Sequence, residues 1–154
     1  MGRETRIVSK DAEYEKKVRE SFARQGLMRH LGAVLEAVRP GECEIAIAWR
    51  EELGQQHGFF HAGVTGAIAD SACGYAALSL MPAGKAVLTV EYKLNLLAPA
   101  VGERLVARGR VVRAGRTLTV CSAEVLAVRN AVETLCATSL STIMAVNEKE
   151  GLHG

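Results

Sequence analysis

Between Leu53 and Gly84 the chain carries one formally charged side chain, Asp70, set in an Ala- and Gly-rich stretch. An ionised carboxylate in apolar surroundings costs on the order of several kcal/mol unless it is paired or hydrogen-bonded. No Lys or Arg lies nearby in sequence to pair with it. Two readings follow: a structural acid bonded to Ser71, Thr65 or backbone, or a working nucleophile or general base. Just upstream, the loop from Gln55 to His61 leads into a helix expected to begin at Ala62. The first turn of a helix has free N–H groups and the positive end of the macrodipole, which together stabilise an oxyanion. Ala62 and Gly63 are small enough for a substrate carbonyl to approach the backbone, and Gln55 offers a side-chain amide donor. The same residues also describe an ordinary helix entry in which Gly and Ala serve packing.

Spacing constrains how these groups could cooperate. Asp70 lies eight residues beyond Ala62, about 12 Å along a helix axis at ~1.5 Å per residue. That is too far for one chain to hold both around a single reacting carbonyl. If both act on one ester or thioester, the site combines Asp70 of one subunit with Gln55 and Ala62 of another. The expectation is an obligate homodimer with two equivalent shared sites.

The elements that must position these groups are legible in the hydropathy pattern. Tyr14, Val18 and Phe22 recur among charges from Asp11 to Arg24, as on an amphipathic helix ended by Gly26. Apolar runs at 31–38 and 43–49 flank Arg39-Pro40-Gly41-Glu42, a turn sequence, and predict a hairpin. Residues 62–80 form a helix apolar on nearly every face, stopped before Pro82 and Gly84, which must be surrounded by protein. The period then changes to two: Leu88, Val90, Tyr92, Leu94 and Leu96 alternate with Val87, Thr89, Glu91, Lys93 and Asn95, predicting a half-buried strand. Strands at 104–113, 117–128 and 132–144 complete an expected antiparallel meander. The fold class is therefore α+β, a curved antiparallel sheet wrapped around one long helix, with a short N-terminal helix.

Composition narrows the function classes. The 154 residues fit one domain, 1–154, whose ends, 1–10 and 147–154, are expected to be flexible. A formal net charge of +2 gives no global reason for nucleic-acid binding. The charged first twenty residues lack the apolar core of a secretory signal, and Asp70 interrupts the one long uncharged stretch. A cytoplasmic protein without membrane association is expected. Cys43, Cys73, Cys121 and Cys136 form no C-x-x-C pair, so neither a zinc knuckle nor a dithiol redox motif is present, and no metal site is expected. Cys73 with His57 or His61 as a thiol–base pair is set aside, because Cys73 lies in the most apolar part of the helix.

Several of these residues carry a family likeness. Asp70 follows His61 by nine positions, Gln55 precedes it by six, and His61-Ala62-Gly63 opens the helix. With the strand pattern V-x-Y-x-x-N-x-L-x-P-A from Val90 to Ala100 and the turn Arg113-Ala-Gly-Arg-Thr117, the chain from about Phe22 to Ala145 resembles the hotdog-fold acyl-CoA thioesterases. The likeness is to their phenylacetate-degradation (PaaI-like) and thioesterase superfamily member 2 branch. It implies a hotdog fold and hydrolysis of acyl-CoA to free acid and CoA, with no cofactor beyond the CoA of the substrate. Homodimers with shared sites, often paired into homotetramers, are implied too. By the resemblance Asp70 is nucleophile or general base, the Ala62 and Gly63 amides with Gln55 polarise the carbonyl, and Thr89 holds water or aligns the acid. His61 orients the helix start. The chain departs from the pattern twice, with Ala for the first Gly of His-Gly-Gly and Gln for the usual Asn.

Arg104, Arg108, Arg110, Arg113 and Arg116 cluster on one strand and its turn. Arg113 and Arg116 are the best candidates for CoA phosphates. Phe60 and Tyr75 are candidates for the acyl pocket. Two other functions fit the same residues: a hotdog dehydratase or hydratase using His57 and Asp70, and a non-catalytic acyl-CoA binding module.

Overall fold

The computed structural model describes residues 7–149 and Leu152. In chain order they form α1 (Tyr14–Arg24), α2 (Gly26–Leu31), β1 (Val34–Arg39), β2 (Glu42–Ala48), a 3-10 turn (Glu51–Leu53), α3 (Ala62–Leu78), β3 (Lys85–Leu96), β4 (Arg104–Ala114), β5 (Leu118–Arg129) and β6 (Val132–Asn147). The expectation of flexible ends falls partly on 1–6, 150, 151, 153 and 154, which lie outside the described residues.

All six strands join one antiparallel sheet in the order β1-β2-β4-β5-β6-β3. The curved sheet wraps α3, which touches every strand. The uniformly apolar sequence of α3 is explained by this enclosure: Ile68, Ala69, Ala72, Cys73, Ala76 and Ala77 are wholly shielded from solvent. Burial of Ile68 alone stabilises the fold by roughly 1.5–3 kcal/mol relative to leaving it exposed. Gly109 sets how close sheet and helix come. A Cβ there would lie 2.4 Å from the carbonyl carbon of Ala72, so strand and helix backbones are in direct contact. At the far end of α3 the Ser79 hydroxyl accepts the N–H of Gly41 at 2.8 Å, pinning the β1–β2 turn to the helix. Gly41 sits at φ 80°, a conformation that favours glycine.

Three details differ from the sequence reading. Gly26 does not end the N-terminal helical region but opens α2, because the chain turns at Gln25 (φ −70°, ψ 107°) and resumes helix until Gly32 at φ 71°. The last four strands are not a simple meander. The segment after β3 crosses the end of the sheet, so β3 pairs with β6 and β4 inserts beside β2. Finally, β3 is an edge strand and mostly exposed rather than half-buried. Its alternation is interrupted by a bulge between Thr89 and Glu91, where Val90 is the extra residue. Thr89 pairs with the buried Ile143 and Tyr92 with the buried Ser141, so these two face α3 although three positions apart. Leu88, opposite Met144, turns to the outer face.

Candidate active site

Asp70 sits mid-helix on α3, half-buried, and its Oδ1 accepts the Thr89 hydroxyl at 2.8 Å. Neither Ser71 nor Thr65 bonds it: the Ser71 hydroxyl donates to Gln25 Oε1 at 3.4 Å, and Thr65 is buried against the other cleft. Burial pushes the Asp70 carboxyl above its ordinary value of 3.8, and the Thr89 hydrogen bond partly offsets this. The carboxylate opens into a cleft of about 310 Å³ whose walls include Gln25, Gly74, Tyr75, Leu78 and the start of β3, Ala86 to Thr89.

The donor groups gather in a second cleft of about 560 Å³, lined by Gln55, Phe60, His61, Ala62, Thr65 and the segment Leu96 to Ala100. Local folding accounts for their positions. Gly58, at φ 79°, turns the loop so that Gln55 and Phe59 pair through Gln55 N–H to Phe59 O at 2.8 Å. Phe60 stands edge-on to Trp49 with ring centroids 4.9 Å apart. The Gln55 side-chain oxygen accepts the backbone N–H of His57, which leaves its amide nitrogen as the outward donor. His61 caps α3: its Nδ1 accepts the Gly63 N–H at 2.8 Å, which places the ring proton on Nε2. Gly63 is small for this reason, since a Cβ would lie 3.0 Å from that nitrogen. Val64 N–H bonds His61 O at 3.0 Å. Of the first three helical amides, only that of Ala62 has no acceptor among the described residues.

The structure thus unites Asp70 with Thr89 and Tyr75, and Gln55 with Phe60, His61 and Ala62, but keeps the two groups in separate clefts; Gly63, expected as a second carbonyl donor, gives its N–H to His61 and lines neither. Gln25 and Ser21 in the Asp70 cleft were missed by the sequence reading, because only the turn between α1 and α2 brings them there. The arginine cluster also divides. Arg104 pairs with Glu36 at 2.6 Å, Arg108 with Glu133 at 2.7 Å and Glu44 at 3.5 Å, and Arg110 donates to Ser122 at 3.2 Å. Arg104 and Arg108 are thus charge-paired across strands, and Arg110 is held by a neutral hydroxyl. Arg113 and Arg116 are exposed beside the β4–β5 turn, at the Thr89 end of the sheet, and line neither cleft.

The four cysteines are buried free thiols, and burial pushes Cys121 up to about 12. Cys73 is fully buried, away from both clefts. Among the described residues, no group of three or more His, Cys, Asp or Glu could hold a metal ion, and no helix is long and apolar enough to cross a membrane.

One long helix held in a curved six-stranded antiparallel sheet, with a carboxylate on that helix, defines a hotdog-fold protein of the thioesterase type. The model of the Thioesterase superfamily matches residues 57–133, half of the chain, and the protein belongs to that family. A crystal structure of a thioesterase family protein from Silicibacter pomeroyi is 50% identical, with a TM-score of 0.86 over 88% of this chain and 99% of that one. A Halobacterium salinarum protein, named provisionally as an esterase, is 34% identical over 106 residues, covering 66% of this chain and 70% of its own length. The Escherichia coli PaaI protein of the phenylacetic acid degradation operon shares the fold, with a TM-score of 0.80 at 18% identity, over 92% and 99% of the two chains. The chain is accordingly a thioesterase-type hydrolase.

Proposed function

We propose that the protein hydrolyses acyl-CoA thioesters in the cytoplasm, as a homodimer in which each active site is built from both subunits. The observation that carries this reading is the position of the two clefts at opposite ends of one exposed edge strand. The Asp70 cleft is walled by Ala86 to Thr89 at the start of β3, and the donor cleft by Leu96 to Ala100 at and just past its end. An unpaired edge with exposed Val90, Tyr92, Leu96 and Leu97 favours strand pairing with a second copy. Antiparallel pairing of β3 about a two-fold axis sets the start of one strand against the end of the other. Asp70 of each subunit then meets Gln55 and Ala62 of the other.

In such a site the thioester carbonyl oxygen accepts from the Ala62 N–H and the Gln55 amide, and charge developing on it in the transition state strengthens both bonds. As general base, Asp70 takes a proton from water, whose oxygen bonds to the carbonyl carbon. The C–S bond then breaks, and the CoA sulfur leaves with the electron pair and is protonated. As nucleophile, Asp70 instead attacks the carbonyl carbon and displaces the CoA thiolate by breaking the C–S bond, and water opens the resulting mixed anhydride to the same acid and the regenerated carboxylate. Either role suits a carboxylate whose charged form is partly desolvated and whose orientation is fixed by Thr89. His61 serves by occupying the Gly63 N–H and fixing the helix start. Phe60 and Tyr75 are apolar walls, while Arg113 and Arg116 offer charge to the CoA phosphates. Pairing of dimers into a tetramer, and a reaction needing no cofactor beyond the CoA of the substrate, complete the reading.

The test follows free thiol released from saturated acyl-CoA esters of several chain lengths, beside enoyl absorbance with a trans-enoyl-CoA. Thiol release that disappears in Asp70→Asn supports hydrolysis. Loss of enoyl absorbance without thiol release would indicate hydration and overturn it.

A further inference from the structure

Trp49 is the only tryptophan in the chain, it follows directly on the end of β2, and it lines neither cleft. Its backbone N–H donates to Glu103 O at 2.8 Å, so the sheet fixes the residue, and its half-buried ring packs on the core. The chain then makes the 3-10 turn Glu51–Leu53, closed by Leu53 N–H to Arg50 O at 3.0 Å and Gly54 N–H to Glu51 O at 2.9 Å. This turn brings Gly54 back onto the indole. A Cβ on Gly54 would lie 2.6 Å from Cη2 of Trp49 and 3.4 Å from Cζ2.

The backbone does not ask for glycine here. Gly54 has φ −87° and ψ 162°, an extended conformation open to any residue. A Cβ would also come within 3.1 Å of Glu51 O, but the ring is the tighter obstacle. The same indole meets Phe60 edge-on, with centroids 4.9 Å apart. Gly54 and Phe60 pair with each other in an isolated antiparallel bridge, and they are the two feet of the loop that carries Gln55. Gln55 is the residue after one foot, and Ala62 follows the other by two, with His61 N–H bonded to Leu53 O at 2.9 Å between them. Any shift of the bridge on the ring therefore moves both donors together.

We propose that Trp49 is a positioning residue, whose ring, set against Gly54 and Phe60, fixes where the loop presents the Gln55 amide and the Ala62 N–H to the substrate carbonyl. This rests on the acyl-CoA reading above, and it puts a determinant of donor geometry outside residues 57–133, the stretch matched by the family model. Such geometry counts steeply: misplacement by about 1 Å costs up to roughly 100-fold in rate.

The test uses the full chain and three variants. Gly54→Ala drives a methyl into the ring, Trp49→Phe removes the ring carbons that methyl would meet, and the double variant combines them. Each single change is expected to lower kcat for butanoyl-CoA by about tenfold, with KM within about threefold and the acid limb set by Asp70 unmoved. The double variant should return to within about threefold of the unaltered protein, because the two changes meet at one contact. A double variant no better than Gly54→Ala overturns the contact.

Loss of folded protein alone would not change how much the carbonyl contributes to binding. Calorimetry therefore compares the ketone in which CH2 replaces the sulfur of butanoyl-CoA with S-butyl-CoA, which has no carbonyl. The unaltered protein should bind the ketone roughly three- to tenfold more tightly. Both single variants bring that ratio near one, and the double variant restores it. A ratio near one in the unaltered protein, an undiminished ratio in the single variants, or no binding of either analogue overturns the proposal. If butanoyl-CoA is not hydrolysed, the hydrolase reading fails for it by itself, and the binding ratios alone decide.

Discussion

The Thr89 hydroxyl reaches across from the edge strand β3 to Asp70 on α3 and donates to its carboxylate at 2.8 Å. This bond opposes the effect of burial on the acid. Thr89→Val keeps the shape and removes the donor, so the Asp70 carboxyl rises further. The acid limb of the kcat/KM profile moves to higher pH, and turnover at neutral pH falls by roughly tenfold, the effect of a charge-assisted hydrogen bond. A limb that does not move would separate Asp70 from the titration that governs rate.

Asp70→Asn tests the same carboxylate through stability. A folded-state value above the unfolded one means that the native protein holds its proton more tightly, so stability falls as pH rises through the folded-state value. Asparagine does not titrate. The variant is therefore expected to gain stability over the unaltered protein at neutral pH and to lose that advantage below about 3.8, the ordinary value. Activity should drop by roughly 100- to 10,000-fold. Urea unfolding at the two pH values, with a turnover assay, measures both.

Separate clefts for the acid and the donors make a mixing experiment decisive. Asp70→Asn and Gln55→Ala homodimers are each expected to be inactive. After dissociation and random reassociation, half of the dimers are mixed and each holds one intact site, restoring about a quarter of the original activity. No recovery, with mixed dimers confirmed by mass, would place both groups in one chain.

His61 joins the loop to the helix through the Gly63 amide. His61→Ala should cost about 1 kcal/mol in stability, the usual value of a helix cap. His61→Asn, which offers another acceptor, should recover most of it. Denaturation midpoints give the comparison. Activity that follows stability across the pair points to positioning rather than proton transfer.

Gly109→Ala probes the contact of sheet and helix backbones. Its new methyl would overlap Ala72, so the strand must shift away from α3. The expected cost is roughly 1–3 kcal/mol, read as a lower melting temperature with little change in the far-ultraviolet spectrum.

Much of this architecture was legible because the periods are strong. The enclosed helix announces itself by having no polar face, and the strands by alternation over many residues. What periodicity does not encode is neighbour choice: β3 reads the same whether its partner is β4 or β6. The six residues of α2 are too few to show a helical stripe, and the bulge at Val90 leaves an unbroken apolar alternation in the sequence while splitting it between two faces. At the site, the spacing of His61 and Asp70 was sufficient to pick out both. The acid's partner, Thr89, came only from the family resemblance and not from spacing, because it is nineteen residues away and meets Asp70 only through the fold. Gln25 was invisible for the same reason. The arginines of β4 were overcounted, since cross-strand glutamates that neutralise Arg104 and Arg108 come from β1, β2 and β6.

Ala62 offers the cleft an atom that every residue except proline possesses. On the proposed reading its methyl group is incidental, and a scan that trims side chains one by one would pass over it without a signal. The information that keeps this main-chain donor available resides next door, in an imidazole that engages the adjacent amide and in a glycine that leaves room for the imidazole. Damage to the function would be recorded at positions 61 and 63, while the group in contact with substrate would look dispensable.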